Sequence, residues 1–300
     1  MNDTVAEHKR EVVVDQKMAH AHLVELKSGR PGPCFFLVPG TGGRVEGFAE
    51  LATLLDTPMP VLAIEARGVD GNGQPDDDIE TLIRHYIDRI RTQQPNGPYF
   101  LLGHSFGGMV VFEMAQRLLT MQERIACLIL LDTPVPIRLW PLRFLLANFG
   151  SRLHGNLKRI VSSSIRESAN YYTRRLILRW HGLHDIPEDL RFGQDGARML
   201  LANEMLFKKW RPEFYPGRLT LFCASDTKDL DILWHNRVRE LQTYSTEGDH
   251  IALIEQPYVS SLARDMSACL ASASEACHLN LEGYVRSPTR ELGVTKGDLT

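Results

Sequence analysis

The chain alternates short runs of apolar residues with longer segments in which apolar residues recur every three or four positions. The apolar runs, rich in Val, Ile, Leu and Phe, cover residues 34–38, 60–66, 99–103, 127–131 and 219–224. Such runs are typical of strands buried on both faces of a mainly parallel sheet. Most of them are separated by helical patterns, of which residues 79–90 are the clearest example. This alternation predicts an α/β fold whose active-site loops follow the carboxyl ends of the strands.

The pattern changes after Asp132. Residues 134–215 contain no clear strand, are rich in aromatic residues within helical patterning, and carry more Lys and Arg than Asp and Glu. An insertion of this length between two strands predicts a helical lid over about 134–215. We therefore expect one domain over residues 31–271, a partly flexible N-terminal segment over 1–30, and a loosely ordered tail over 272–300.

Composition narrows the functional classes. The 300 residues are 43 % hydrophobic, and the net charge of −3 does not favour nucleic-acid binding. No uninterrupted apolar stretch is long enough to span a membrane, and the charged N-terminus lacks the apolar core of a signal peptide. The cysteines and histidines show no zinc-site spacing, so no metal is expected. These features predict a cytoplasmic globular enzyme.

The strongest chemical signal is Gly-His-Ser-Phe-Gly around Ser105, which fits the nucleophile-elbow pattern G-x-S-x-G. A strand is predicted over 99–102 and a helix over 106–118, which is the structural context that this turn requires. Gly103 and Gly107 suit it because side chains there would collide with the strand and the helix. The pattern predicts that Ser105 is a nucleophile.

A serine nucleophile needs a base and an acid to orient that base. His250 lies after a strand-like run and Gly248, late in the chain, where this fold places its histidine. His235 is a weaker candidate because it lies within a predicted helix. Both Asp132 and Asp226 end apolar runs, and the usual order of such enzymes favours Asp226, so the residues alone leave the acid open.

Four separated motifs resemble one enzyme family. The runs QPNGPYFLLGHSFGGMVVFEMAQRL, ACLILLDTPVP, YPGRLTLFCASDT and EGDHIALIEQPYVSSLA occur in this order. They resemble the thioesterase domains that end modular non-ribosomal peptide and polyketide synthases, with similarity from about residue 31 to 270. The resemblance implies an α/β-hydrolase fold with a helical lid inserted after the strand that ends at Asp132.

The resemblance also implies roles for particular residues. It places the acid at Asp132, with Asp226 as the alternative that stand-alone editing thioesterases more often use. The oxyanion hole requires two backbone N–H groups, one of which we expect from Phe106, directly after the nucleophile. Alignment with the family's loop points to Thr41 for the second, with its two glycine neighbours as alternatives. We expect His104 to point away across the elbow and to be structural.

The expected activity is release of an acyl, peptidyl or polyketide chain by hydrolysis or cyclisation through an acyl-Ser105 intermediate. No cofactor is expected, because the substrate itself carries phosphopantetheine on an acyl carrier protein, a peptidyl carrier protein or CoA. The chain begins with Met1 and shows no carrier or adenylation motif, so we expect it to act in trans or to derive from a larger synthase. The alternatives are a carboxylic ester hydrolase or lipase on the same residues, and a catalytically silent binding protein of the same fold.

Overall fold

Seven strands form one sheet in the computed structural model, which describes residues 22–69, 73–142, 194–227 and 230–284. Their order across the sheet is β1-β3-β2-β4-β5-β6-β7. The strands are β1 His22–Lys27, β2 Phe35–Val38, β3 Val61–Glu65, β4 Tyr99–His104, β5 Ile125–Leu131, β6 Tyr215–Cys223 and β7 Val238–Ser245. Only the β1–β3 pair is antiparallel, and the other five pairs are parallel. The five strands predicted from apolar runs are confirmed.

Helices cover both faces of this sheet. In the described part of the chain they are α1 Ala49–Leu54, α2 Ile79–Gln93, α3 Phe106–Thr120, α4 Gln194–Lys209, α5 Leu230–Trp234 and α6 Val259–Tyr284. The side chain of Asp78 caps α2 by accepting a hydrogen bond of 2.8 Å from the Thr81 N–H. The predicted helix over 79–90 is therefore confirmed, with a conventional N-terminal cap.

The alternation of side chains along β4 divides the core between the two faces. Tyr99 and Leu101 pack into the cluster that contains residues of α2, α3, α4 and α5. Phe100 and Leu102 pack into the cluster that contains residues of α1 and α6. Because a strand directs successive side chains to opposite faces and both faces of β4 are buried, its positions 99–102 are all apolar, which explains the continuous run.

Two boundaries of the predicted domain are wrong. The N-terminal segment contributes β1, whose side chains are exposed or only partly buried, so it carries no continuous apolar run. At the other end α6 continues to Tyr284, well past residue 271. Its apolar face extends there because Ala273 and the buried Cys277 pack against the same core as Leu270. Residues 1–21 and 285–300 lie outside the described residues.

The predicted lid is described at its two ends, and residues 143–193 lie outside the described part. A 3-10 turn at Ile137–Leu139 and the helix α4 agree with the expected helical character. The predicted end at residue 215 is late, because β6 already begins at Tyr215. Trp140 and Phe207 are buried in the core cluster that includes α3. These two aromatic residues of the lid are therefore part of the hydrophobic core.

The parallel order brings particular loops together. β2, β4, β5 and β6 are neighbours in the sheet, so the residues that follow their carboxyl ends share one edge. Ser105 follows β4, and Asp132 follows β5. Among the described helices, none is long and apolar enough to cross a membrane.

Candidate active site

Ser105 occupies the sharp turn between β4 and α3. Its backbone has φ 55° and ψ −117°, a strained conformation for a residue with a side chain. A Cβ atom on Gly103 would lie 2.1 Å from the Gly107 carbonyl oxygen, and one on Gly107 would lie 2.2 Å from the Val38 oxygen. Both positions therefore accept only glycine, and the predicted strand–turn–helix context around Ser105 is confirmed.

His250 links Ser105 to Asp132. The distance from Ser105 Oγ to His250 Nε2 is 2.9 Å, and that from His250 Nδ1 to Asp132 Oδ2 is 2.5 Å. With Nδ1–H donating to the carboxylate, Nε2 is left as the acceptor for the serine hydroxyl. The three residues predicted from separate motifs thus form one hydrogen-bonded chain. In this arrangement the imidazole can take the serine proton as the oxygen attacks a carbonyl carbon.

Asp132 is held rigidly as an anion. Only 1 % of its surface is exposed, and its backbone φ is 47°. Its Oδ1 accepts hydrogen bonds from the Ala224 N–H, at 2.9 Å, and from the Thr227 hydroxyl. Burial opposes ionisation, yet the hydrogen bonds and the attraction to His250 outweigh it and hold the pKa of Asp132 below its ordinary value. Thr227 was not singled out from the sequence, since its contact with Asp132 joins distant segments.

The alternative residues take other positions. Burial raises the pKa of Asp226, and the negative charge of the nearby Asp132 carboxylate raises it further. The carboxylate hydrogen-bonded to His250 Nδ1 belongs to Asp132. His235 follows α5 directly instead of lying within it, and its side chain is exposed.

His104 packs against His250, contrary to the expectation that it points away. The two ring centroids are 5.0 Å apart, and His104 Nε2 lies 2.9 Å from the His250 carbonyl oxygen. Because a carbonyl oxygen only accepts, His104 Nε2 carries the proton and donates it. Burial, and then the proximity of His250, lowers the pKa of His104 to about 4. The ring is therefore neutral and supports the backbone of the loop that carries His250.

We expect the His104→Gln variant to lose less stability than the wild type between pH 6.5 and 4. The unfolded chain binds a proton at His104 near pH 6.5, whereas the folded chain does so only near its pKa of about 4. Stability therefore falls as the pH drops through this window, by about 3 kcal/mol from this group. Glutamine keeps an N–H donor but does not titrate.

Urea unfolding at several pH values between 7 and 4 measures this effect. His235→Gln provides a matched control, because His235 is exposed. Equal loss of unfolding free energy in the wild type and in His104→Gln would contradict the buried, neutral state of His104.

A glycine-rich loop after β2 lies beside the serine. Residues 39–43, here termed the oxyanion loop, contain a turn in which the Gly43 N–H donates to the Gly40 carbonyl at 2.9 Å. A Cβ atom on Gly40 would lie 3.5 Å from the Cβ of Ser105, so the loop backbone is in close range of the elbow. Thr41, the predicted oxyanion donor, follows Gly40 and is buried. Phe106 begins α3, where helix N–H groups have no partner within the helix.

The chemistry and the fold agree with one family, the Thioesterase domain, which matches residues 34–270. This chain belongs to the thioesterase family. The α/β-hydrolase fold of this thioesterase domain is shared with solved structures of low sequence identity. The thioesterase domain of NocB, solved as a covalent complex with a fluorophosphonate nocardicin G analogue, has a TM-score of 0.60 and 22 % identity. That likeness covers 84 % of this chain and 99 % of the NocB chain.

The Vlm2 thioesterase domain, bound with a dodecadepsipeptide, has a TM-score of 0.57 and 21 % identity. That likeness covers 82 % of this chain and 97 % of the Vlm2 chain. Curated relatives are much longer. Malpinin synthetase of Mortierella alpina is 37 % identical over 125 residues, which are 42 % of this chain and 2 % of that protein. The nonribosomal peptide synthetase apvA of Aspergillus terreus is 36 % identical over 279 residues, covering 83 % of this chain and 29 % of its own length. The chain thus spans a small part of these relatives.

Proposed function

We propose that this chain is a serine thioesterase that releases an acyl, peptidyl or polyketide chain from a phosphopantetheine thioester. The observation that carries the proposal is the hydrogen-bonded chain from Ser105 through His250 to Asp132, in a member of the thioesterase family. Ser105 is the proposed nucleophile, His250 the base, and Asp132 the acid that orients His250. The same three side chains in other enzymes form and break acyl-enzyme esters.

In the first step the Ser105 Oγ attacks the thioester carbonyl carbon while His250 Nε2 takes the proton of the serine hydroxyl. The buried Asp132 carboxylate stabilises the imidazolium that forms, and its hydrogen bonds keep it ionised. The carbonyl oxygen becomes negative and accepts hydrogen bonds from the backbone N–H groups of Phe106 and Thr41. The carbon–sulfur bond then breaks, and His250 donates the proton to the sulfur. The thiol departs, and the acyl group remains as an ester on Ser105.

In the second step a nucleophile cleaves this ester. Water attack, with His250 as the base, releases a carboxylic acid. A hydroxyl or amine within the acyl chain would release a ring instead. In either case His250 passes the proton to Ser105 Oγ as the ester bond breaks, which restores the free enzyme.

The proposed substrate brings its own phosphopantetheine, so the mechanism uses no resident cofactor or metal. The proposed partner is an acyl or peptidyl carrier protein, with acyl-CoA as the alternative donor of the same thioester. Relatives of this chain include a dimodular nonribosomal peptide synthase and the polyketide synthase PksR, both of Bacillus subtilis. These names support a carrier-bound chain as the substrate class.

We expect kcat/KM for an acyl-pantetheine thioester to exceed that for the matched oxygen ester by at least about tenfold. A thiol is a better leaving group than an alcohol because its anion is more stable. The measurement compares thioester and oxygen-ester substrates with the same acyl group. A second series presents that group on pantetheine, CoA and a carrier protein, and we expect the carrier-bound form to have the lowest KM. Normal oxygen-ester turnover without cleavage of any thioester would contradict the proposal and favour an ester hydrolase.

A further inference from the structure

A buried amide from the lid contacts the oxyanion loop. Asn203 lies in the interior of α4 and is 3 % exposed. Its Nδ2 donates a hydrogen bond of 2.9 Å to the carbonyl oxygen of Thr41. Asparagine is a weak helix former, and an amide buried without a partner is costly, so its presence here needs an explanation. The contact with Thr41 supplies the partner.

The same helix also lies close to the other end of this loop. A Cβ atom on Gly43 would lie 3.6 Å from Met199 Cγ and 2.6 Å from the Ala66 Cβ. Met199, Ala66 and Val69 form a small buried cluster, and the Ala66 N–H donates to the Gly43 carbonyl at 3.0 Å. The loop is therefore held between the segment after β3 and the lid helix α4.

The hydrogen bond from Asn203 acts on the peptide next to the proposed oxyanion donor. Thr41 and its following glycine form the corner of the turn closed by the hydrogen bond from Gly43 to Gly40. Fixing the Thr41 carbonyl restrains rotation of the backbone at this corner, and so restrains where the Thr41 N–H points. An oxyanion donor is effective only when it lies within about 2.7–3.1 Å of the developing charge.

We propose that Asn203 is a positioning residue that makes the geometry of the oxyanion loop depend on the lid helix. The inference rests on the proposed function, because it concerns the same oxyanion hole. Asn203 does not touch the reacting atoms. It acts through the Thr41 carbonyl, so the position of α4 is transmitted to the group that stabilises the transition state.

The test is the Asn203→Leu variant, which keeps the branching and the number of side-chain heavy atoms and removes the N–H donor. We expect kcat for an acyl-pantetheine thioester to fall about 10- to 100-fold, because a displaced oxyanion donor stabilises the transition state less. We expect KM to stay within about twofold, because ground-state binding does not use this donor. Leu201→Ala is the matched control, since Leu201 lies on the same helix and is 62 % exposed. A lost packing contact alone would not produce this split between kcat and KM.

Two further measurements separate the possible failures. If the wild-type Ser105 reacts with a fluorophosphonate and Asn203→Leu reacts at the same rate with an unchanged kcat, the inference about Asn203 is wrong and the proposed nucleophile stands. If the wild type neither reacts nor cleaves a thioester, that result overturns both. Hydrogen exchange of the backbone amides of residues 40–43 should be faster in Asn203→Leu than in Leu201→Ala. If Asn203→Leu does not fold, Asn203→Ala replaces it. Amide exchange of the oxyanion loop in Asn203→Ala at the wild-type rate would overturn the proposal.

Discussion

Ser105→Ala should lower kcat/KM for the thioester by about 10⁴- to 10⁶-fold, because it removes the attacking atom and leaves only substrate binding and the oxyanion hole. The substitution deletes one oxygen, which is hydrogen-bonded to His250. The backbone strain at φ 55° is unchanged, so we expect a melting temperature close to that of the wild type. Turnover assays and intact-protein mass spectrometry after fluorophosphonate treatment measure the effect.

The matched control for this variant is Ser260→Ala, because Ser260 is exposed on α6. It should retain wild-type turnover and wild-type labelling. A fluorophosphonate adduct on Ser105→Ala, or thioester turnover within tenfold of the wild type, would show that another residue is the nucleophile.

His250→Ala should be about as damaging as loss of the serine, with kcat reduced about 10⁴- to 10⁶-fold. Without the imidazole Nε2, which lies 2.9 Å from Ser105 Oγ in the wild type, the Ser105 hydroxyl keeps its proton and is a poor nucleophile. The His250 backbone carbonyl that accepts from His104 is retained in alanine, so the loop keeps this contact. Because deacylation needs the same base, any acyl adduct formed from a reactive thioester should persist on Ser105.

Steady-state turnover and intact-protein mass spectrometry over several hours measure both effects. His235→Ala is the matched histidine control, since the exposed His235 makes no contact that the proposed mechanism uses. Turnover by His250→Ala within tenfold of the wild type would exclude His250 as the base. Equal losses in His235→Ala would point to a general effect on folding.

The fold was predictable where the local pattern and the tertiary environment agree. β4 is buried on both faces, so its apolar run is continuous and easy to recognise. The edge strand β1 pairs on one side only, and its residues are exposed or only partly buried, so it gave no such run. The continuation of α6 to Tyr284 was missed because its apolar positions are small, notably Ala273 and Cys277.

The proposed acid shows a different limit. Asp132 and Asp226 both follow apolar strands, and no local property of the sequence separates them. In the structure β5 lies next to β4, so the residue after β5 lies near the elbow. The His250 Nδ1 then meets the carboxylate of Asp132, whose other oxygen is hydrogen-bonded to Ala224 and Thr227. The residues alone left this choice open because it depends on strand order, and only the family resemblance pointed to Asp132.

The sequence by itself determined the parallel core and the glycine-bounded turn around Ser105, because burial on both faces and steric crowding each leave a local signature. The resemblance to the family pointed to Asp132 as the acid, and the tertiary structure brings its carboxylate to His250. Only the tertiary structure decided where the His104 ring packs and that Asn203 reaches Thr41. Those contacts join residues far apart in the chain, such as Asn203 Nδ2 and Thr41 O at 2.9 Å. The packing of whole strands and helices brings these residues together, and the local sequence around each residue carries no signal of its distant partner.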